Sequence, residues 1–171
     1  VNDLSIEIFD IAERLKSLHK SSDPFELAEC LGLRVRFHDL GYTKGLYFIT
    51  RRCRFIFVNE NICEELQRIV VAHEIGHDRL HRELAKLGQL SEFSLYDMTS
   101  TPEREANIFA SNILLNDNDV EELARLQYTS QQIAMELCVP EEMLIIKMID
   151  MNERGYRFRI PYIPRADFLG R

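Results

Sequence analysis

The sequence predicts an α+β domain in which a small antiparallel sheet of about three strands packs on a central helix and on further helices. Two observations carry that expectation. Between residues 33 and 59 apolar side chains recur with a period of two, whereas on either side the spacing returns to the 3.6 residues of a helix. The chain's 171 residues, 46% hydrophobic and 29% charged, suffice for one such domain with a real core and argue against a second.

Residues 3–20 place Leu4, Ile8, Ile11, Leu15 and Leu18 near a helical period, as an amphipathic covering helix would. Asp23-Pro24 supplies an N-cap and a first-turn proline for a short helix through FELAECL, which Gly32 ends. Three strands follow: LRVRF at 33–37, GLYFIT at 45–50 and RFIFVN at 54–59, the last two close enough to form a hairpin. Helical spacing resumes from Glu64 to about Leu84, residues 85–99 read as loop, and Thr101-Pro102 opens a helix to about Leu115. Apolar positions in 120–127, 131–138 and 141–151 predict three short helices before an irregular tail. The expected organisation is a single domain over 1–171: an N-terminal helix (1–22), a core (23–115), a C-terminal helical part (116–152) and the tail (153–171).

The formal net charge of −7 opposes non-specific attraction to phosphate backbones, so direct nucleic-acid binding is not expected. Basic residues bunch only at RRCR (51–54) and ERGYRFR (153–159), where a solvated surface is the ordinary reading. There is no basic stretch leading into an apolar run at the N-terminus and no stretch of 18 apolar residues, so a cytoplasmic protein without membrane contact is expected. The cysteines Cys30, Cys53, Cys63 and Cys138 stand singly, which suggests neither a zinc ribbon nor a disulfide framework but reduced, mostly buried thiols.

The segment VAHEIGH at 71–77 contains H-E-x-x-H. On a helix, positions i and i+4 lie one turn apart on one face, so His73 and His77 can offer ring nitrogens to one zinc ion. Glu74 is rotated by about 100° from His73 and falls beside the open coordination position, where a carboxylate can act as general base toward water. Two ordinary histidines around a surface glutamate would give the same letters. Against that, the histidines continue the apolar stripe Leu66, Ile69/Val70, Leu80, Leu84, and Gly76 in mid-helix costs about 1 kcal/mol relative to alanine, as close approach by another element would require.

A catalytic zinc site needs a third protein ligand. His81 extends the series, but His73 and His81 would lie about 12 Å apart along the axis, too far for one ion, so a flanking or supporting role is expected for it. Leu80 and Glu83 occupy positions where the metzincin pattern needs glycine and histidine. The helix TPEREANIFASNILL aligns Glu103, Ala106, Asn107, Ala110 and Leu114 on a face rich in small residues. Glu103 there can complete the ligand set and Asn107 can orient a histidine. Two alternatives stay open: Ser100-x-x-Glu103 also fits a capping box, and Glu105 is the ligand if the helix is rotated.

HEIGH followed some 26 residues later by EREANIFASNILL resembles the ImmA/IrrE family of zinc metallopeptidases, and the likeness extends over most of 20–150. The resemblance implies a zincin-like, thermolysin-like minimal metallopeptidase core, Zn2+ at His73, His77 and Glu103, and Glu74 as the catalytic residue. It also implies a regulatory endopeptidase whose protein substrate is a helix-turn-helix transcriptional repressor of a mobile element, phage or stress response. Asn116-Asp117 departs from the methionine-proline pair of many relatives.

For peptide hydrolysis a second donor near the metal is expected, with Tyr96, His81 or an arginine as candidates. The substrate is expected along the edge of the hairpin, at RFIFVN. Two other functions fit parts of the chain. One is a metal-binding sensor that no longer cleaves; the other is a DNA-binding regulator using QQIAMELCVPEEMLIIKM (131–148) as a helix-turn-helix, although Glu141 and Glu142 would face phosphates with like charge.

Overall fold

The computed structural model describes residues 2–86 and 96–164. Among them the chain forms α1 (Asp3–His19), α2 (Pro24–Cys30), β1 (Leu33–His38), β2 (Gly45–Ile49), β3 (Arg54–Asn59), α3 (Glu64–Leu80), α4 (Arg82–Lys86), α5 (Thr101–Leu114), α6 (Asp117–Arg125), α7 (Ser130–Glu136) and α8 (Glu141–Glu153). This is the expected α+β class. The expected 85–99 loop and the end of the expected tail fall partly on 87–95 and 165–171, outside the described residues.

Helix ends follow local chemistry. The Asp23 carboxylate accepts from the backbone N–H groups of Phe25 and Glu26 at the start of α2, with Pro24 at the first turn. Thr129 and Gln132 close a reciprocal capping box at α7. Asn116 caps α6 through Asn118 N–H at 2.8 Å. The departure at Asn116-Asp117 therefore serves as a helix start and, through Asp117, as an ionic anchor. The helix expected over 64–84 is broken at His81, whose backbone (φ −126°, ψ 22°) leaves the helical region between α3 and α4.

The sheet is mixed, not wholly antiparallel. Its order is β1-β3-β2, with β2 antiparallel and β1 parallel to β3. The cause lies in the links. Residues 50–53 turn tightly and force a β2–β3 hairpin, whereas 39–44 are long enough to step across one strand, about 10 Å. Asn59 pins that crossing by donating from Nδ2 to the carbonyls of Gly41 and Thr43, both at 2.9 Å. The apolar run Phe55-Ile56-Phe57-Val58 thus belongs to the central strand. Both of its edges are paired, so RFIFVN offers no free edge to a substrate; among the described residues the strand edge left unpaired on the hairpin is that of β2. Asn59 N–H bonds Lys44 O at 2.9 Å and Thr50 N–H bonds Cys53 O at 2.8 Å. With the register Tyr47↔Ile56, alternation turns the main-chain groups of Gly45, Tyr47 and Ile49 outward, away from β3.

The core lies between the sheet and the helices, with α3 through its middle: Ile69 to Asp78 are all buried. One face of β2 rests on α3 through Gly45 and Tyr47. A Cβ on Gly45 would stand 2.3 Å from Val70 Cγ1 and 3.2 Å from Glu74 Oε1, so only glycine lets β2 lie this close. Helix α5 packs on the other side of α3, and α1 and α8 cover α5. Leu18, placed on the covering face by its spacing, is 72% exposed at the end of α1.

Three further expectations meet the structure. Helices α7 and α8 do form the packed hairpin, but α8 buries Met143 to Met148 in the core, so no face of it is presented as a recognition helix. The cysteines are not mostly buried: Cys30, Cys63 and Cys138 are exposed because they sit at helix ends, and all four are free thiols. No helix among the described residues is long and apolar enough to cross a membrane.

Candidate metal centre

His73 and His77 stand one turn apart on α3, facing Glu103 in the first turn of α5. His73 Nε2 lies 2.9 Å from His77 Nε2, 3.2 Å from Glu103 Oε2 is reached from His73, and 3.3 Å separates His77 Nε2 from Glu103 Oε1. The three side chains offer ligand atoms that all lie within 4.8 Å of one another, and all three residues are buried. Ligands at about 2.0–2.1 Å on a tetrahedral zinc ion stand about 3.3 Å apart, so the observed spacing fits such an ion. Two neutral imidazoles and one carboxylate are also the donor set of hydrolytic zinc sites.

Glycine explains why α5 can come so close. A Cβ on Gly76 would lie 3.1 Å from Ala106 Cα and 3.3 Å from both Ala106 O and Phe109 Cδ1. The backbone of α5 therefore passes one turn beyond His73, which brings Glu103 within reach. Ser100 makes no side-chain cap bond, so Glu103 is turned to the histidines and not into a capping box. Glu105, the alternative ligand, points to His81.

The remaining ring nitrogens are also engaged. His73 Nδ1 is 2.9 Å from Asn107 Oδ1, and Asn107 donates from Nδ2 to Asp97 O at 3.0 Å, which fixes the amide orientation. His73 therefore carries its proton on Nδ1 and turns the Nε2 lone pair to the cluster. His77 Nδ1 is 3.1 Å from His81 Nδ1, and His81 Nε2 is 2.9 Å from Glu105 Oε2. With His81 neutral, one assignment satisfies both contacts: His77 donates from Nδ1 to His81 Nδ1, and His81 donates from Nε2 to the Glu105 carboxylate.

Electrostatics separates the two carboxylates. Burial alone would raise Glu103, but a proton held on the facing Nε2 of His73 or His77 outweighs it and lowers its pKa to about 2; with those lone pairs turned to a bound cation, the cation would take over that role. Burial, and then the charge of Glu103, pushes Glu74 well above the ordinary glutamate range, while the Tyr47 backbone N–H pulls the other way. Glu74 Oε1 is buried without a hydrogen-bond partner. A buried acceptor left free beside two imidazoles suits a base that takes a proton from a molecule bound there.

Of the expected second donors, His81 and the arginines Arg54 and Arg82 are engaged by other residues. Tyr96 is fully buried, and after burial itself the charges that raise its hydroxyl are those of Glu142, Cys63 and Tyr162. The Tyr96 hydroxyl is buried without a hydrogen-bond partner, and the carbonyl of the next residue, Asp97, accepts from Asn107, which also holds His73. His81 spends both ring nitrogens on His77 and Glu105. Arg54 and Arg82 are held by Asp78: Arg54 Nη1 reaches both carboxylate oxygens, at 2.7 and 2.8 Å, and Arg82 Nη2 reaches Oδ2 at 2.9 Å.

That last group was missed in the sequence. The Tyr47 hydroxyl donates to Asp78 Oδ1 at 2.7 Å, so one residue of β2 meets Glu74 through its backbone and the arginine-bearing carboxylate through its side chain. A signal was present, since an aspartate directly after His77 on a buried helix needs partners. Arg82, one helical turn on, was readable from spacing, but Arg54 and Tyr47, 24 and 31 residues away, were not.

A metal-capable His-His-Glu cluster on an H-E-x-x-H helix, beneath a three-stranded sheet and completed from the next long helix, defines an α+β protein with a zincin-like minimal core. The chain belongs to the Peptidase_M78 family, the IrrE N-terminal-like domain, whose pattern matches residues 28–148. It is similar to the uncharacterized immunity region protein 2 of Bacillus phage phi105, with 32% identity over 142 residues covering 82% of this chain and 87% of that one. It is also similar to the metallopeptidase ImmA of Bacillus subtilis (strain 168), with 29% identity over 126 residues covering 71% and 72%.

Proposed function

We propose that this protein is a zinc-dependent endopeptidase of the cytoplasm that cuts one regulatory protein, a helix-turn-helix repressor of a phage, mobile element or stress response. The observation that carries the reading is the junction of the three-ligand cluster with Glu74, a buried base with one unpartnered oxygen. The relatives support the rest: one is an immunity region protein of a phage and another is a metallopeptidase.

In this reading His73, His77 and Glu103 hold the ion. A zinc ion held there acidifies water and polarises a peptide carbonyl. Glu74 accepts the water's proton and returns it to the departing amine. Asn107 and the His81–Glu105 pair keep the two imidazoles neutral and oriented. The substrate chain extends along the edge of β2, where the Tyr47 carbonyl and the outward main-chain groups of Ile49 can pair with it, while the Tyr47 N–H holds Glu74. Residues 23–115 form the catalytic core, and 1–22 and 116–152 brace it.

Zinc per chain, measured by elemental analysis after exhaustive dialysis, tests the reading. Near one zinc in the wild type, lost in His77→Ala and Glu103→Ala, is expected; no zinc in the wild type even after reconstitution would sink it. Glu74→Gln separates an enzyme from a sensor: it should keep the zinc and lose hydrolysis, whereas a sensor's function would survive it.

A further inference from the structure

Beyond the end of β2 the chain builds a basic cleft. It lies between the 50–53 link and α4, has a volume of about 540 Å³, and is lined by Arg51, Arg52, Arg54, Arg82 and Lys86 together with Thr50. Five cations meet here on a chain whose net charge is −7. Among the described residues two carboxylates answer them: Asp78, shared by Arg54 and Arg82, and Glu83, which pairs with Lys86 at 2.6 Å. Arg51 and Arg52 are exposed and make no ion pair among the described residues. Arg82 keeps its Nε–H without a partner.

The walls are built unevenly. Asp78 is fully buried, and it fixes Arg54 and Arg82 on one side, with Arg54 Nη2 also donating to Leu31 O at 2.6 Å. Those two arginines form a rigid positive floor, and Arg51 and Arg52 stand over it with free guanidinium forks. A guanidinium fork matches the two oxygens of a carboxylate.

The cleft is in line with the candidate site. Tyr47 touches Glu74 through its backbone and Asp78 through its hydroxyl, and Ile49, two residues on, already lines the cleft. At about 3.3 Å per residue, a strand paired with β2 opposite Tyr47 reaches Arg51 after about 13 Å, or roughly four residues.

We propose that this cleft is a recognition subsite for an aspartate or glutamate side chain of the peptide that lies on β2, two to four residues from the scissile bond. The proposal rests on the reading of β2 as the substrate edge. It assigns Arg51 and Arg52 as specificity-determining residues and Asp78 as the residue that positions the floor. The chain's net charge is −7, so a cleft of one sign at a fixed distance from Tyr47 selects register as well as identity.

The test uses the full zinc-loaded chain carrying Glu74→Gln and fluorescein-labelled decapeptides of Val, Thr and Ala with Glu, Gln or Lys placed at each position in turn. At one position the Glu peptide should bind about fivefold more tightly than its Gln counterpart, and the Lys peptide more weakly than either. Arg51→Glu/Arg52→Glu should reverse that order, and the milder Arg51→Gln/Arg52→Gln should level it. Equal binding of the three peptides at every position, no binding of any, or an unchanged preference in the variants overturns the proposal. So does a 20-nucleotide single strand that displaces the Glu peptide through the same arginines, which would make the cleft a phosphate surface. The zinc content of the wild-type chain is read separately: selective binding by a chain that holds no zinc even after reconstitution would sink the peptidase reading and leave the subsite standing.

Discussion

Glu105 accepts a hydrogen bond from His81 across 2.9 Å, and His81 in turn receives His77 Nδ1 at 3.1 Å. A carboxylate therefore steers a metal-facing imidazole through a second imidazole, reaching from α5 across the end of α3. On the other flank Asn107 serves His73 from the same helix. Both histidines owe their tautomer to α5, the helix that also brings Glu103.

His81→Ala and Glu105→Gln should each lower zinc affinity by about tenfold or more without abolishing it, because the ligands remain while their orientation loosens. Competition with a chelating dye measures this directly. His81→Asn, which can still accept from His77, should recover part of the loss. Affinity unchanged in both would mean that the pair merely fills space at the α3–α4 break.

The pairing of His73 with His77 was legible because their relationship is local: one helical turn, one motif. Glu103 was legible at one remove, since the small side chains of Ala106 and Ala110 announced that α5 packs closely and Gly76 announced against what. Strand direction was not. Whether β1 pairs with β2 or β3 depends on where residues 39–44 cross, and Asn59, which pins that crossing, looks like any polar residue at a strand end. The basic cleft was visible only as RRCR, since Arg82 and Lys86 join it from α4.

Gly76→Ala tests whether backbone approach sets the site. In an isolated helix the change would gain about 1 kcal/mol. Here the new Cβ meets the Ala106 backbone at 3.1 Å, which cannot swing aside as a side chain would, so the expected result is a net loss of about 1–3 kcal/mol. Urea unfolding reads the loss. Zinc affinity should fall as well, because pushing α5 outward moves Glu103 away from both histidines. A variant as stable as the wild type with unchanged affinity would show that α5 can shift without cost.

The C-terminal brace should set the acid limit of the fold. Lys147 is fully buried and pairs with Asp117 at 2.5 Å, while Arg154 grips Asp117 with two bonds at 2.6 and 3.0 Å. These bonds tie α6 to α8. Burial alone would raise Asp117, but the Arg154 hydrogen bond and the Lys147 charge outweigh it and lower the carboxyl below its ordinary value. A depressed folded-state value means that the stabilisation is present above the unfolded pKa, about 3.9, and is lost as pH falls through the folded value. Asp150, in the same cluster, slopes the other way, since burial raises it and its ionised form is disfavoured by folding. Asp117→Asn should therefore cost about 2–4 kcal/mol at pH 7, where it strands Lys147 with Asn112 as its remaining partner at 2.6 Å. The gap between variant and wild type should narrow as the pH drops below about 4, because the wild-type carboxyl then becomes neutral too. Urea titrations of both proteins from pH 7 to pH 3 measure it, and a gap that stays constant across that range would mean that Asp117 acts through packing and not through its charge.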